Sequence, residues 1–505
     1  MKRWRLLAVI APVLLWTAVN ADDVVVRIAS DAPEAIREAA NDLAYYIGKA
    51  ASLEVSFADA QPPGENPVIL VGLSPDLGGD LLPDEDLGPE AFSIKRKGEH
   101  VVIAGRHPVA TANGVYYFIE KYLGVHWFIP GPIGDCVPKD VSRDFLSRVA
   151  DEEVAPACEP RTWSDSASYP SWKEWHRRNR LPSPPTARWV NFKNYRQSML
   201  HLPADKYGKS HSEYYPLVDG KRLVPEAKFP APSSWNWEPC YSNEAVRRIY
   251  VEEALRFFDE HPEVPSFEMG LDDAEVFCRC DACRALDGDV DAFAQRNFSN
   301  RYYWFLKQVA DAVAETHPDR LIGTLVYAQT RTLPDNMDRL PDNVFAYLAD
   351  TGTHASQWWN KDVKNKEQAH RREWARRVSH LGRYEYYGLD WWMPRYYPHL
   401  LDEEIKFDRN LGFGSEYAEI YALRTHLAPM LWAVTRLYWD ATLDMDDLLD
   451  TFFTGMFGDA AQPMKRYWEG LEDAWVNRDP SIAGNGWRDL ETQAKLFTPQ
   501  RLDAL

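Results

Sequence analysis

The chain has 505 residues, enough for two or three domains and too many for a single small binding module. Asp and Glu outnumber Lys and Arg by 76 to 57, and the resulting net charge of −19 argues against nucleic acid or an anionic membrane as a partner. The hydrophobic content of 45% is typical of a globular chain and excludes disorder and a membrane bundle. The unusual feature is the aromatic content, with 20 Trp, 25 Tyr and 21 Phe.

Residues 1–21 have the pattern of a signal peptide. A short basic region precedes an apolar run from Leu6 to Ala18, and Val19 and Ala21 are small residues at the −3 and −1 positions of a cleavage site. We predict cleavage after Ala21 and a secreted or periplasmic protein with no membrane partner once the signal is removed. An uncleaved anchor is the alternative. An exported protein is also one in which disulfides are permitted.

Residues 22–150 predict a small α+β domain in which helices pack on one face of a sheet. Apolar residues at helical spacing alternate with short apolar runs that are typical of strands. The predicted strands are Val24–Ala29, Pro67–Gly72, Phe92–Lys95 and Val101–Ala104, and the predicted helices begin near Glu34 and Ala110.

Residues 151–425 alternate short strands with longer helices, which is the signature of a TIM-type (β/α)8 barrel in the α/β class. The predicted strands are Val190–Phe192, Pro265–Gly270, Leu321–Tyr327, Val344–Leu348, Arg383–Tyr387 and Gly412–Tyr421, and the predicted helices are Glu244–Glu260, Asn300–Thr316, Glu367–Leu381 and Leu400–Asn410. A doubly wound sheet is the competing fold, although neither G-x-G-x-x-G nor G-x-x-x-x-G-K-[ST] occurs. Residues 426–505 predict a helical extension packed on the barrel.

Two parts of the chain resemble known families. The run from Gly114 to Gly131, with the helix near Glu34 before it, resembles the accessory N-terminal domain of alpha-glucuronidases and beta-hexosaminidases. The stretches from His211 to Arg222 and from Gly270 to Cys283, with Leu431 to Asp450, look like an uncharacterised bacterial family that joins this domain to a domain of unknown function. The resemblance implies a TIM barrel after the accessory domain and a secreted glycoside hydrolase-like protein. It brings no substrate, and Asp272-Asp273-Ala274 replaces the Asn-Asp-Gly of that family.

Carboxylates near the ends of the predicted barrel strands are the candidate catalytic residues. Glycosidic cleavage needs one protonated carboxyl and one ionised carboxylate across the bond, and barrel enzymes carry such groups at the carboxyl ends of different strands. The candidates are Asp272, Asp273, Asp350, Glu385 and Glu416, with Glu419 in the same strand as Glu416. Asp273 is the predicted general acid, because it follows a strand and lies in the family motif. Glu385 and Glu416 are its predicted partners; a cap or a solvated loop residue is the alternative for any single carboxylate.

Aromatic, basic and histidine residues after the same strands are candidates for sugar binding, because aromatic rings stack on the apolar faces of sugars. The candidates are Trp358, Trp359, Tyr387, Trp391, Trp392, Arg395, His201, His211 and Tyr327. Core packing is the alternative for each ring, and a structural role is the alternative for each lone histidine. Arg331, Arg395 or Lys193 would suit an acidic sugar.

The cysteines form the sharpest local pattern. Cys278, Cys280 and Cys283 follow the Asp pair, and Cys240 lies upstream. Four thiolates close a tetrahedral structural zinc site, whereas export favours disulfides, and both arrangements stay open. We also expect a disulfide between Cys136 and Cys158. Four sulfurs leave no open position on a metal, so no cofactor is expected in catalysis.

Together these features predict a secreted hydrolase that cleaves O-glycosidic bonds of a polysaccharide or oligosaccharide by carboxylate acid/base catalysis. The expected partner is a carbohydrate substrate. A non-catalytic carbohydrate-binding protein on the same scaffold is the alternative, and a polysaccharide lyase with a Tyr or His base is the third hypothesis.

Overall fold

A computed structural model describes residues 24–58, 67–72, 81–164, 170–182, 201–225, 237–271, 273–349, 355–387, 394–420, 425–482 and 490–505. The predicted signal peptide, the predicted strand Val190–Phe192, Lys193 and the site candidates Asp272, Asp350, Trp391 and Trp392 lie outside the described residues. Within these ranges, no helix is both long enough and apolar enough to cross a membrane.

The described strands are short, and most of the longer helices belong to the second half of the chain. The strands are β1 Val24–Arg27, β2 Val55–Ala58, β3 Val68–Val71, β4 Phe92–Lys97, β5 His100–Gly105, β6 His126–Trp127, β7 Asp135–Cys136, β8 Glu152–Val154, β9 Arg161–Trp163, β10 Leu217–Val218, β11 Lys221–Arg222, β12 Ser266–Glu268, β13 Leu321–Val326, β14 Val344–Ala349, β15 His380–Tyr387 and β16 Phe413–Ile420. The helices are Glu34–Ala51, Pro108–Leu123, Pro170–Arg178, Ala204–Tyr207, Glu244–Glu260, Asp281–Asp287, Ala292–Gln295, Ser299–Thr316, Lys361–Arg377, Pro398–Asn410, Ala428–Leu437, Met445–Phe457, Ala461–Val476, Leu490–Ala494 and Pro499–Ala504.

The N-terminal sheet has the order β2-β1-β3-β5-β4-β8 among the described strands, with β4 antiparallel to both of its neighbours. Its inward residues, such as Val26 and Ile103, share a core with the helices Glu34–Ala51 and Pro108–Leu123. The second helix ends at Gly124, whose φ of 68° is accessible to glycine at little cost. The predicted α+β arrangement is therefore present, and β8 carries this sheet past residue 150.

A second sheet has the order β12-β13-β14-β15-β16-β9 among the described strands, and every pair in it is parallel. Its first strand in the chain, β9, pairs with its last, β16, in the register Arg161 to Glu416. A β/α barrel closes in this way, by joining its first and last strands. The described part of the sheet is a curled half-barrel, so the fold is mixed α/β, and a complete eight-stranded barrel stays a prediction.

Helix and strand bounds differ from the sequence prediction where local capping decides them. The predicted helix Glu367–Leu381 runs instead from Lys361 to Arg377. Its start is fixed by Asn360, whose side chain accepts hydrogen bonds from the backbone N–H groups of Asp362 and Val363. The residues after Arg377 enter β15, which pairs with strands on both sides.

The predicted disulfide between Cys136 and Cys158 is wrong. All six cysteines lie within the described ranges, and none of them forms a disulfide. The Sγ atom of Cys136 lies 3.2 Å from the position that a Cβ atom on Gly455 would take. Cys158 is buried at the edge of the second sheet, where its backbone N–H donates to the carbonyl of Tyr438. The two thiols therefore pack against different neighbours.

Candidate active site

The two faces of the half-barrel sheet have different surroundings. Alternate side chains such as Ile322 and Ala346 share a core cluster with the helices Glu244–Glu260, Ser299–Thr316 and Lys361–Arg377. We call this side the helix-facing side. The opposite side carries a cluster built from strand residues alone: Leu321, Leu325, Phe345, Tyr347, Ala349, Tyr384 and Tyr386. This second side is the inside of the curl, and we call it the concave face.

Aromatic rings cover much of the concave face. The ring centroids of Tyr384 and Tyr417 lie 4.7 Å apart, and those of Tyr384 and Tyr386 lie 5.1 Å apart. Tyr327, a predicted sugar-binding residue, packs against the same cluster directly after β13 and is partly buried. Aromatic side chains therefore extend toward the carboxyl ends of the strands, where barrel enzymes carry their active sites.

Glu268 lies on the concave face at the end of β12. Its neighbours Phe267 and Met269 belong to the helix-facing cluster, so strand alternation turns Glu268 the other way. A Cβ atom placed on Gly270 would lie 3.8 Å from Oε1 of Glu268 and 4.0 Å from Cδ1 of Leu325. The carboxylate is partly exposed and lies beside Leu325 at the carboxyl end of the sheet.

Glu419 lies on the same face near the end of β16. Ala418 and Ile420 face the core that the C-terminal helices share, so Glu419 points to the concave side. Its register partner on β15 is Tyr386. The strands β13, β14 and β15 lie between β12 and β16 in the curled sheet. Glu268 and Glu419 therefore flank the aromatic face from its two sides.

Glu385 and Glu416, predicted as catalytic partners, lie on the helix-facing side. Glu385 has the same strand parity as Leu381 and Tyr387, and its Oε1 lies 2.6 Å from Nη2 of Arg383. Glu416 lines a small buried cavity next to Cys158. Both side chains are therefore buried on the helix-facing side, and their predicted catalytic roles stay predictions.

A buried ionic network occupies the space between β15 and its helices. The guanidinium of Arg371 binds Glu367 at 3.0 Å and Asp408 at 2.7 Å, and it also pairs with Glu404. Arg383 lies 3.5 Å from the same Glu404 oxygen. Acids outnumber bases in this network, so its carboxyl groups cannot all be ionised without a large electrostatic cost.

The carboxyl groups of this network have pKa values shifted in opposite directions. Burial favours the neutral form of Glu367, but Arg371 and Arg331 lower its pKa to about 2. Burial raises the pKa of Glu404 and, despite the adjacent Arg383, that of Glu385. Burial also raises the pKa of Glu416 well above its ordinary value, and the neighbouring carboxylate of Glu385 raises it further.

Asp273, the predicted general acid, is exposed in the segment after β12. It lies five residues beyond Glu268, on the same side of the sheet as the carboxyl ends of the strands. Its catalytic role stays a prediction, as do those of Asp272 and Asp350, which lie outside the described residues.

Several predicted sugar-binding residues pack in the protein interior. Tyr387 is fully buried on the helix-facing side, where its hydroxyl lies 3.1 Å from that of Tyr438. Trp358 is 2% exposed and lies under the guanidinium of Arg371, at 5.1 Å. The structure corrects both assignments, because these rings are core residues.

The two histidine candidates lie away from the concave face. The ring of His201 stacks on Tyr250 and on Phe267, a helix-facing residue, with ring centroids 4.6 and 5.5 Å apart. Burial lowers the pKa of His201 to about 4. His211 is exposed, with its Nδ1 3.2 Å from Glu213. The structure therefore does not group these residues with Glu268 and Glu419.

Trp359 and Arg395 meet in a cluster that the sequence did not predict. The guanidinium carbon of Arg478 lies 3.6 Å from the ring centroid of Trp359 and 4.1 Å from that of Trp475. Arg395 covers Trp475 at 4.6 Å. Arg478 is only 5% exposed, and across the described residues its Nε and Nη2 have no hydrogen-bond partner. Trp359 and Arg395 lie in segments that follow β14 and β15, at the carboxyl side of the sheet.

The predicted cysteine quartet is assembled. The Sγ atoms of Cys240, Cys278, Cys280 and Cys283 all lie within 4.8 Å of one another. The three buried members form a small cluster against which Leu217 packs. The segment that connects β12 to the helix Asp281–Asp287 is thus tied to the start of the helix Glu244–Glu260.

Glu268 and Arg478 are not among the candidate site residues that the sequence predicted. The alternation of Ser266, Glu268 and Gly270 with apolar Phe267 and Met269 was the available signal for Glu268, since it places the polar residues on one face. No sequence signal marks Arg478, because its aromatic neighbour Trp359 comes from a segment more than 100 residues away.

The fold of this chain is similar to that of solved glycoside hydrolases. A family GH115 4-O-methyl-alpha-glucuronidase with specificity for decorated arabinogalactans is similar at 12% identity with a TM-score of 0.50, over 92% of this chain. This chain spans 63% of that enzyme's length. The likeness shows the fold alone.

Two further solved structures are similar with lower TM-scores. A beta-hexosaminidase mutant from Streptomyces plicatus in complex with GlcNAc has 12% identity and a TM-score of 0.42, over 90% of this chain and 91% of that one. A family 89 glycoside hydrolase from Clostridium perfringens has 11% identity and a TM-score of 0.45, over 89% of this chain and 54% of that one.

The sequence profile of DUF4838, a domain of unknown function, matches residues 130–469. This range is more than half of the chain, and the chain therefore belongs to the DUF4838 family. No curated protein matches its sequence significantly.

Proposed function

We propose that this protein is a glycoside hydrolase whose active site lies on the concave face, at the carboxyl ends of β12 to β16. The observation that carries the proposal is the placement of Glu268 and Glu419 on opposite flanks of one aromatic-lined face. In this mechanism one carboxyl donates a proton to the leaving oxygen, and the other acts as nucleophile or as base toward water. Asp273 is a further candidate for the acid.

Tyrosine rings between the two carboxylates suit a sugar substrate. Their faces pack against the apolar side of a sugar ring, and their hydroxyl groups hydrogen-bond to its hydroxyls. The likeness to a known glycosidase fold supports this assignment. A protein that binds glycans without hydrolysing them would have the same face, but its two carboxylates would not catalyse the cleavage.

The arginine cluster supports an acidic sugar as the substrate class. A buried guanidinium without an acidic partner, beside a second arginine, is electrostatically unfavourable until an anion reaches it. The cluster of Arg478 and Arg395 lies on the carboxyl side of the sheet, where the substrate is expected. A uronic acid carboxylate is therefore the ligand group that these residues suit.

Export of the protein belongs to the same proposal, since polymeric glycans are degraded outside the cytoplasm. It predicts that the N-terminus of the protein recovered from its host begins at Asp22. Recovery of an intact residue 1 in the cytoplasmic fraction would contradict it.

The experiment is a comparison of matched Glu→Gln variants on one strand. Glu419→Gln and Glu416→Gln make the same chemical change on opposite faces of β16, and Glu268→Gln changes the other flank. We expect the concave-face variants to lose at least about 100-fold in turnover, the range for a positioned acid or base, with the Tm preserved. Glu416→Gln keeps its turnover.

Leaving groups then distinguish the two roles. An aryl glycoside with an acidic leaving group needs no proton, so the variant that lacks the acid retains activity on it. The variant that lacks the nucleophile or base stays inactive on both kinds of substrate. Equal turnover by Glu419→Gln and Glu416→Gln would contradict the assignment.

A further inference from the structure

The four clustered cysteines come from two separate segments of the chain. Cys240 lies just before the helix Glu244–Glu260, and Cys278, Cys280 and Cys283 lie at the start of the helix Asp281–Asp287. Cys240, Cys278 and Cys283 are at most 3% exposed, and Cys280 is partly buried. The fold thus brings four thiols to one interior point.

Two of the sulfur separations distinguish a metal site from disulfides. The Sγ atom of Cys240 lies 3.7 Å from that of Cys280 and 3.7 Å from that of Cys283. Zinc bound tetrahedrally by four thiolates at about 2.3 Å places its sulfurs about 3.8 Å apart. Disulfide-bonded sulfurs lie about 2.05 Å apart. The observed spacing is that of the edge of a metal tetrahedron.

Donors surround the sulfurs as they do in metal thiolate sites. The backbone N–H of Leu217 donates to Sγ of Cys278 at 3.3 Å, and the N–H of Cys283 donates to Sγ of Cys280 at 3.4 Å. Nη1 of Arg222 lies 3.6 Å from Sγ of Cys278. Four thiolates around a divalent ion carry a net charge of −2, which these donors and the guanidinium stabilise.

We propose that Cys240, Cys278, Cys280 and Cys283 bind one structural zinc ion. The four protein ligands fill its tetrahedron, so the ion has no open position for substrate or water. Its function is to fix the segment between β12 and the helix Asp281–Asp287, which carries Asp273. Arg301 joins the cysteine cluster to the end of that helix, donating to the carbonyl of Cys278 at 2.6 Å and to Asp287 at 2.6 Å.

The test measures zinc and thiols in the full chain, with no reference to enzymatic activity, so its outcome is separable from that of the proposed function. Elemental analysis after dialysis against zinc-free buffer should give one zinc per chain. Thiol titration in denaturant with a chelator should give six thiols, because zinc-bound thiolates become reactive once the metal is removed. Zinc-free protein with two thiols would establish two disulfides and overturn the proposal. Zinc-free protein with six thiols would also overturn it.

A matched pair of variants locates the ion. Cys283→Ser removes a ligand and should lower the zinc content at least about 10-fold, whereas Cys158→Ser removes a buried thiol outside the cluster and should leave it unchanged. Zinc retained by Cys283→Ser would contradict the assignment. If Cys283→Ser does not fold, cobalt(II) bound to the wild-type chain gives the second readout. It should show the visible bands of a tetrahedral thiolate site, and their absence would overturn the proposal.

Discussion

Tyr386 and Glu419 are direct register partners on β15 and β16, so their side chains leave the sheet on the same, concave face. The neighbouring acids Glu385 and Glu416 leave it on the other face, where Arg371 and Arg383 form a buried network. Glu416 and Glu419, three residues apart on β16, thus have different environments: Glu416 is buried, and Glu419 is partly exposed.

Glu416→Gln should stabilise the protein at pH 7. Burial raises the pKa of Glu416 well above its ordinary value of about 4.3, so the folded state binds a proton on this side chain more readily than the unfolded state does. Stability from this group is full below the unfolded pKa and is lost as the pH rises toward the folded pKa. Gln mimics the protonated form. The Tm difference between variant and wild type should be positive at pH 7 and shrink toward zero near pH 4; a lower Tm at pH 7 would contradict the assignment.

Arg371→Met should destabilise the fold strongly. The substitution leaves Glu367, Glu404 and Asp408 buried without their shared guanidinium, a change that costs about 3–5 kcal/mol. Arg376 lies on the same helix and is 69% exposed, so Arg376→Met is the control and should change stability by less than about 0.5 kcal/mol. Urea unfolding measures both, and similar losses in the two variants would show that the network is not structural.

Because of His399, the free energy of unfolding should decrease as the pH becomes alkaline. Its Nδ1 lies 2.8 Å from Glu472 and its Nε2 lies 3.3 Å from Asp446, and these acids raise its pKa to about 9. The stabilisation is complete below the unfolded pKa of about 6.5 and is lost as the pH rises through about 9. The side chain is 47% exposed, so the effect is at most about 1 kcal/mol.

Thermal melts of wild type and His399→Gln measure this effect. The wild type should have the higher Tm at pH 6, and the difference should disappear by pH 10. A difference of equal size at both pH values would mean that charge on the ring is irrelevant.

Arg478→Ala should weaken the binding of an acidic oligosaccharide by about 10- to 100-fold, the range for a hydrogen bond to a charged group. Burial and the adjacent Arg395 lower the pKa of Arg478 to about 9. Affinity for the anion should therefore fall as the pH rises through about 9, while affinity for the neutral, carboxyl-reduced sugar stays constant. Arg466→Ala, on the exposed side of the helix Ala461–Val476, is the control. Calorimetric titration with the two sugars tests this, and equal losses for both would contradict an anionic subsite.

The regular elements were predictable where hydrophobic periodicity is strong. The helix Glu244–Glu260 has the bounds that its pattern predicts, and five strands of the second sheet lie where apolar runs predict them. β9 was not predictable, because three residues carry no periodicity and its partner β16 lies about 250 residues away. The barrel-type order of the sheet depends on this long-range pair.

The candidate site was predictable only in part. The cysteine pattern correctly predicted a cluster, because the chain has only six cysteines and three of these four lie between positions 278 and 283. The faces on which Glu385, Glu416 and Glu419 lie were not predicted, because acids near strand ends look alike until the neighbouring residues fix the parity of each strand. The Arg478 cluster depends on tertiary contacts that no local pattern encodes.

The central claim is that the concave face hydrolyses glycosidic bonds with Glu268 and Glu419. The most direct measurement is the release of reducing ends from a panel of neutral and uronic acid-containing glycans by the wild type, Glu268→Gln and Glu419→Gln. We expect the wild type to release reducing ends from at least one acidic glycan, and both variants to lose that release while they still bind the glycan. A wild type that binds such a glycan and never releases a reducing end would contradict it.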